Sequence, residues 1–128
     1  TRSHCDWSSD VCSSDLYAGA SGDYYQIHYD LGFAKNNDLE DVILHGALKN
    51  AFLGHLVTKW MGPDGYLKRL ACQYRGMDIP GTPVTAKGLV TKKYQDQGAN
   101  MVDCEVWLEN EKGERTTPGS ATVALPSR

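Results

Sequence analysis

Long apolar runs and basic stripes are both absent from this 128-residue sequence. A transmembrane helix needs about 20 consecutive apolar residues, so we expect no membrane partner. The net charge of -3 comes without a cluster of lysine and arginine to meet a phosphate backbone, which argues against a nucleic-acid partner. The length suits one domain with a single hydrophobic core. A soluble domain is therefore expected, and small neutral or anionic metabolites stay open as ligands.

Metal-binding cysteine pairs are lacking as well. Cys72 and Cys104 are far apart, form no C-x-x-C motif and have no histidines nearby at the spacing of a zinc site. Each lies among alternating apolar residues, where a free cysteine behaves as a small buried side chain. We expect reduced thiols rather than a disulfide, a cytoplasmic protein and no metal site.

The first sixteen residues have neither the amphipathic period of a helix nor the apolar centre of a signal peptide. The stretch Asp6 to Leu16, DWSSDVCSSDL, back-translates into DNA that resembles a widely used sequencing-library adapter. We therefore expect residues 1–16 to be an artefactual, disordered leader fused to a truncated gene fragment, and residues 17–128 to be the domain. The alternative, a natural serine-rich tail, requires a coincidence over eleven residues.

The stretch richest in candidate catalytic residues is Ser21 to Asp30, SGDYYQIHYD, a turn-rich segment before a predicted helix. Asp23 and His28 together can hold a water molecule and move protons near neutral pH, because free histidine has a pKa near 6.5. Taken alone, Asp23 is more typical of a turn or a helix cap, and His28 of a partly buried ring bonded to the backbone. Asp30 is expected to cap the helix from Leu31 to Asn37.

The longest helical pattern runs from His45 to Met61. Lys49 and Lys59 fall on or near its polar side, opposite an apolar stripe with four-residue spacing. The stripe consists of Leu48, Phe52, Leu56 and Trp60. Gly62 and the proline after it end the helix. A helix of this length needs a broad apolar partner.

Four strands are predicted after the helix, at about residues 66–77, 84–94, 102–109 and 121–125. The third has the clearest alternation, with Val102, Cys104, Val106 and Leu108 on one face. One long helix followed by four consecutive strands favours an α+β fold in which an antiparallel sheet covers the helix. A helix wrapped by such a sheet is the hot-dog fold.

Two motifs in this order resemble those of the MaoC-like family of hot-dog hydratases and dehydratases. The family signature is similar to Y-A-x-x-S-G-D-x-N-P-I-H-x-D, followed by a helix and then by H-G at the start of the central helix. Here the first motif is YAGASGDYYQIHYD from Tyr17, and the second is His45-Gly46. The resemblance implies (R)-specific hydration of trans-2-enoyl thioesters, or dehydration of 3-hydroxyacyl thioesters, without a metal or other cofactor.

The resemblance also implies roles for individual residues. Asp23 and His28 hold the catalytic water, and the backbone N–H of Gly46 donates to the thioester carbonyl, where the helix dipole adds to the hydrogen bond. The possible pocket-lining residues are Tyr24, Tyr25, Tyr29 and His45. Aromatic packing over the helix is the alternative for the tyrosines, and for His45 we favour a structural role such as helix capping.

The sequence departs from the family at Tyr25-Gln26, where Asn-Pro is usual. This exchange removes the fixed φ of proline and a local amide anchor, so the loop geometry is open. One alternative is therefore a non-catalytic subunit of a heteromeric dehydratase. Another is a hot-dog thioesterase, although those place a carboxylate on or near the central helix, and no Asp or Glu lies between His45 and Met61.

The remaining expectations concern partners and completeness. The substrate implied by the resemblance is a thioester of CoA or of acyl carrier protein, and the implied assembly is a homodimer or a heterodimer with another hot-dog subunit. The N-terminal strand of the fold is expected to be missing, because the leader stands in its place.

Overall fold

One antiparallel sheet of five strands packs against a sixteen-residue helix in the computed structural model, which describes residues 2–8 and 11–127, with side chains from Ser14 onward. The elements in chain order are β1 (Arg2–Ser8), α1 (Val11–Ser21), a short 3-10 helix (Gln26–His28), α2 (Leu31–Asn36), α3 (Gly46–Met61), β2 (Tyr66–Cys72), β3 (Pro83–Asp96), β4 (Ala99–Glu109) and β5 (Arg115–Leu125). The predicted α+β hot-dog architecture is confirmed.

The strands lie in the order β1-β3-β4-β5-β2. β3 and β4 form a long hairpin whose two turn residues, Gln97 and Gly98, have φ values of 48° and 81°. Positive φ at both central residues is the turn geometry that matches the twist of paired strands. β2, which follows α3, pairs with β5 and occupies one edge of the sheet, so the chain returns from the helix to the side of the sheet opposite β1.

The hydrophobic core lies between α3 and the inner face of the sheet. It comprises Leu53, Leu56 and Val57 of α3, Ala86 of β3, Val102, Cys104, Val106 and Leu108 of β4, and Ala121 and Val123 of β5. The alternation predicted for the third strand after the helix is therefore confirmed. Cys72 and Cys104 are free thiols, as expected, and burial together with the nearby Asp103 carboxylate raises the pKa of Cys104.

The buried face of α3 differs from the predicted stripe. Leu53 and Val57 are fully buried, whereas Phe52 and Trp60 are only partly covered. Lys49, predicted on the polar side, is 3% exposed. Burial of this lysine is possible because its ammonium group is paired with a carboxylate and a carbonyl from another part of the chain, as described below.

The shorter helical segments agree closely with the predictions. α2 ends at Asn36, one residue before the predicted end, and Asp30 caps it by accepting a hydrogen bond from the N–H of Phe33 at 2.9 Å. α3 begins at Gly46, with His45 as its N-cap residue. No helix in the described ranges is long and apolar enough to cross a membrane.

β1 and α1 correct two expectations, namely a disordered leader at residues 1–16 and a missing N-terminal strand. Arg2–Ser8 pairs antiparallel with β3, and α1 crosses the expected boundary at residue 17 without a break. The prediction failed because strand pairing uses backbone N–H and C=O groups, which almost any sequence supplies. Residues 1, 9 and 10 of that leader lie outside the described residues, and its adapter-like origin and the domain boundary stay predictions.

Candidate active site

The loop that carries Asp23 begins where α1 ends. Gly22 has a φ of 73°, a left-handed conformation that favours glycine and turns the chain. The hydroxyl of Ser21 then accepts a hydrogen bond from the N–H of Asp23 at 3.2 Å, and Asp23 Oδ1 accepts one from the N–H of Tyr25 at 3.4 Å. The Asp23 carboxylate therefore uses one oxygen locally, and its side chain remains 49% exposed.

His28 is held at the end of the 3-10 helix with 8% of its surface exposed. Its Nδ1 lies 2.7 Å from the carbonyl oxygen of Ile43. A carbonyl can only accept, so Nδ1 carries the proton, and Nε2 of the neutral ring is left with a lone pair. The fold thus fixes the tautomer that His28 needs to act as a base at Nε2.

The two predicted catalytic groups lie close together. His28 Nε2 is 4.0 Å from Asp23 Oδ2, which is too far for a direct hydrogen bond. Both atoms are acceptors, and a water molecule has two O–H groups to donate, one to each. Two hydrogen bonds of about 2.8 Å are long enough to span such a gap.

His45, for which a structural role was expected and pocket lining was the alternative, joins the same cluster. Its ring is 1% exposed, and its Nε2 donates to the backbone carbonyl of Asp23 at 3.1 Å. The rings of His28 and His45 stack with centroids 3.8 Å apart and planes 22° apart. Burial lowers the pKa of His45, and the nearby His28 lowers it further, against the opposing influence of Asp23.

The N-terminus of α3 follows directly from this cluster. The first N–H groups of a helix have no intrahelical partner, and the side chain of His45 does not cap them. A Cβ atom at Gly46 would lie 2.9 Å from a ring carbon of Tyr74, so glycine allows the Tyr74 ring to pack on the helix start. The donor predicted at Gly46 is therefore next in sequence to the residue that contacts both Asp23 and His28.

A buried ion pair fastens the first turns of α3 to the loop around Asp78. Lys49 Nζ lies 2.8 Å from Asp78 Oδ2 and 2.7 Å from the carbonyl oxygen of Gly76. Thr116 donates to the same carboxylate oxygen at 2.8 Å. The backbone carbonyl of Asp78 accepts from the N–H of Leu44 at 2.8 Å, so the loop that supplies the anion also holds the segment leading into His45.

This ion pair has no clear signal in the sequence. Lys49 lies on the predicted polar side of the helix, where a lysine is normally exposed. Asp78 lies in an irregular segment before Pro80, where a carboxylate is normally exposed too. Ile43 fixes the tautomer of His28 through its backbone carbonyl. Any residue type supplies such a carbonyl, so the sequence does not reveal this role.

The three tyrosines predicted as possible lining residues are all exposed. Tyr25 is nearest to the cluster, with its ring edge-on to His28 at 6.3 Å and to Phe33 at 6.0 Å. Tyr24 and Tyr29 border a surface recess on the side of α1, and the Tyr29 hydroxyl donates to the carbonyl of Tyr24 at 3.1 Å. A role in substrate binding stays a prediction for each of them.

Asp23, His28 and His45 also bring three potential metal-ligating atoms within 4.8 Å of one another. An imidazole binds a metal along its in-plane lone pair, so two ligating rings have to converge on the ion. The near-parallel stack of His28 and His45 directs the ring planes past each other instead. The arrangement therefore suits a water molecule and a proton better than a metal ion.

Comparison with known proteins bears on the family and the fold. A family model described as "MaoC like domain" matches residues 10–113. No curated protein matches the chain in a sequence comparison.

Solved structures match over nearly the whole chain. An (R)-hydratase from A. caviae involved in PHA biosynthesis has a TM-score of 0.90 at 21% identity, covering 98% of this chain and 95% of the other. The unliganded R-hydratase PhaJ1 from Pseudomonas aeruginosa has a TM-score of 0.90 at 19% identity, covering 100% and 81%. The ChsH1-ChsH2 complex from Mycobacterium tuberculosis has a TM-score of 0.87 at 18% identity, covering 98% and 96%. At these identities the likeness establishes the fold.

Proposed function

Because the chain belongs to the MaoC-like domain family, we propose that it adds water reversibly to trans-2-enoyl thioesters to give 3-hydroxyacyl thioesters. The observation that carries this proposal is the 4.0 Å separation between His28 Nε2 and Asp23 Oδ2. These two atoms are placed to share one water molecule, and in the neutral ring the hydrogen bond to Ile43 puts the proton on Nδ1 and the lone pair on Nε2. The protein would act as a hydro-lyase without a redox step.

Asp23 and His28 have separate roles in the proposed reaction. Asp23 orients the water, and His28 Nε2 takes one of its protons as the oxygen bonds to C3 of the enoyl group. The electrons of the C2–C3 double bond move toward the thioester carbonyl, whose oxygen becomes enolate-like. Return of the proton from His28 to C2 completes the addition of one water and restores the neutral ring.

The N–H of Gly46 is proposed to stabilise the enolate-like oxygen. It is the first donor of α3 and has no intrahelical acceptor, and the helix dipole adds to its hydrogen bond. Loss of one such donor costs about 3 kcal/mol of barrier, or at least about a hundredfold in rate. The proposal specifies a thioester substrate and does not distinguish CoA from acyl carrier protein as the group that carries the acyl chain.

The proposal is tested by the hydration of crotonyl-CoA, followed as the loss of enoyl absorbance. Asp23→Asn keeps the size of the side chain but removes its charge, and His28→Gln removes the base. Each is expected to lower kcat/KM by roughly a hundredfold or more, whereas His55→Gln, at an exposed position of α3, is the matched control and is expected to match the wild type. Wild-type rates in both loop variants would contradict the proposed mechanism.

A heteromeric subunit is the second candidate, and one specific observation favours it. The ChsH1-ChsH2 structure, which matches this chain along 98% of its length, is a complex of two different chains, and the loop here carries Tyr25-Gln26. In that case the chain would pair with another hot-dog subunit and hydrate crotonyl-CoA only in the complex. Light scattering on the purified chain, combined with the same assay, separates this from an active homodimer.

The thioesterase alternative is less well supported by the residues near α3. Asp78 is the carboxylate that pairs with a side chain of α3, and it is bound by Lys49 and Thr116 rather than available to a substrate. Release of free CoA thiol in the same assay mixture would support thioester hydrolysis, whereas its absence during loss of the enoyl signal supports hydration.

A further inference from the structure

We propose that His45 is a positioning residue for the site, holding the Asp23 main chain and the His28 ring while itself remaining neutral. The inference deepens the proposed function and rests on it in one respect, namely that Asp23 and His28 share the reacting water. His45 would not touch the substrate. It would hold Asp23 and His28 at a fixed distance from each other, so that His28 is the histidine that exchanges a proton with the reacting water.

The tautomer of His45 follows from its one hydrogen-bond partner. Its Nε2 lies 3.1 Å from the carbonyl oxygen of Asp23, so Nε2 carries the proton. Its Nδ1 is buried and has no partner among the described residues. Protonation would place an unpaired N–H and a positive charge in that buried position, which is unfavourable.

The two stacked histidines therefore have opposite tautomers. His28 donates from Nδ1 to Ile43 and presents Nε2 to Asp23, whereas His45 donates from Nε2 to the Asp23 backbone. With their rings 3.8 Å apart, two positive charges would repel, which adds to the burial that disfavours a charge on His45.

The groups around His45 are consistent with a neutral ring. His28 stacks on one face, and the Tyr17 ring of α1 lies 5.0 Å away at a 59° tilt. The Asp23 carboxylate is directed toward His28, with its Oδ2 facing Nε2 of that ring. One turn along α3, the charge of Lys49 is balanced by Asp78. Burial, as the largest influence, lowers the pKa of His45.

Two substitutions separate the hydrogen bond from the stacked ring. His45→Gln retains an N–H donor the same number of bonds from the backbone and removes the ring, whereas His45→Phe retains a ring and removes the donor. We expect His45→Phe to lower kcat by roughly 10- to 100-fold with little change in KM, because Asp23 is displaced. His45→Gln is expected to recover part of that loss.

Nitrogen-15 NMR of the histidine rings in the wild-type chain gives a readout that does not depend on activity. The expected result is a protonated Nε2 in His45, a protonated Nδ1 in His28, and titration of His45 below the ordinary histidine value. A protonated Nδ1 in His45, its titration at or above the ordinary value, or unchanged kcat in His45→Phe would overturn the inference. If no enoyl thioester is hydrated, the proposed function fails, and the tautomers and titration alone decide the placement of His45.

Discussion

The ammonium group of Lys49 lies 2.8 Å from the Asp78 carboxylate, and both side chains are almost entirely buried, at 3% and 1% exposure. Gly76 and Thr116 supply further hydrogen bonds to the pair. A buried ion pair adds little net stability relative to a well-packed apolar pair, but removal of one partner leaves an uncompensated charge. Each charge therefore needs the other as long as both are buried, and the pair fastens the loop around Asp78 to the first turns of α3.

Lys49→Met is expected to lower the free energy of unfolding by about 3–5 kcal/mol, because Asp78 is left buried without its cation. Urea denaturation monitored by circular dichroism measures the change. Lys59→Met, at an exposed position of the same helix, is the matched control and is expected to stay within about 0.5 kcal/mol of the wild type. Equal stability of the two variants would show that Lys49 is not paired in a buried site.

The contact between Gly46 and Tyr74 predicts a second effect that depends on both residues. A Cβ atom at Gly46 would lie 2.9 Å from the Tyr74 ring, so Gly46→Ala should cost about 1 kcal/mol, at the low end for overpacking because the ring is 55% exposed and can move. In a Tyr74→Ala background the same substitution should be nearly neutral. A double-mutant cycle of unfolding free energies gives the coupling, and additive effects would contradict the contact.

The parts of the fold that the sequence predicted are those in which side-chain period reflects burial. α3 and β4 were found because their apolar residues repeat at the period of a helix and of a strand. β1 was missed because its pairing to β3 relies on backbone groups, and the burial of Lys49 was missed because it depends on Asp78, which is distant in sequence. Such dependence on a remote partner cannot be read from local pattern.

The candidate site divides in the same way. Asp23 and His28 were identified from a motif with fixed spacing, and the fold places them 4.0 Å apart. The stack of His45 on His28 was not foreseen, because it requires the start of α3 to meet the loop after α1. The residue types predicted the candidate groups, whereas the tautomers of the two histidines depend on contacts with Ile43 and with the Asp23 backbone.

The hairpin between β3 and β4 offers a stabilising substitution. Gln97 has a φ of 48°, a conformation that asparagine adopts more readily than glutamine, and Gly98 follows it. Gln97→Asn should therefore raise the free energy of unfolding by about 0.5 kcal/mol. Thermal denaturation measures the gain, with Gln95→Asn in the neighbouring strand as the control, where asparagine is expected to be neutral or unfavourable. A gain of equal size at both positions would argue against the turn conformation as its cause.

The lowered pKa of His45 predicts how stability depends on pH. In the unfolded chain this histidine titrates near 6.5, whereas burial and the neighbouring His28 ring lower its pKa in the folded protein. Between the lowered value and 6.5 the unfolded state binds more protons, so the contribution of His45 to stability is complete above about pH 6.5 and is lost as the pH falls through this window. The slope can reach about 1.4 kcal/mol per pH unit for one proton. Urea denaturation from pH 7.5 to 5 should therefore show a smaller slope for His45→Gln than for the wild type. A His45→Gln slope equal to that of the wild type would mean that His45 binds its proton equally well in the folded and unfolded states.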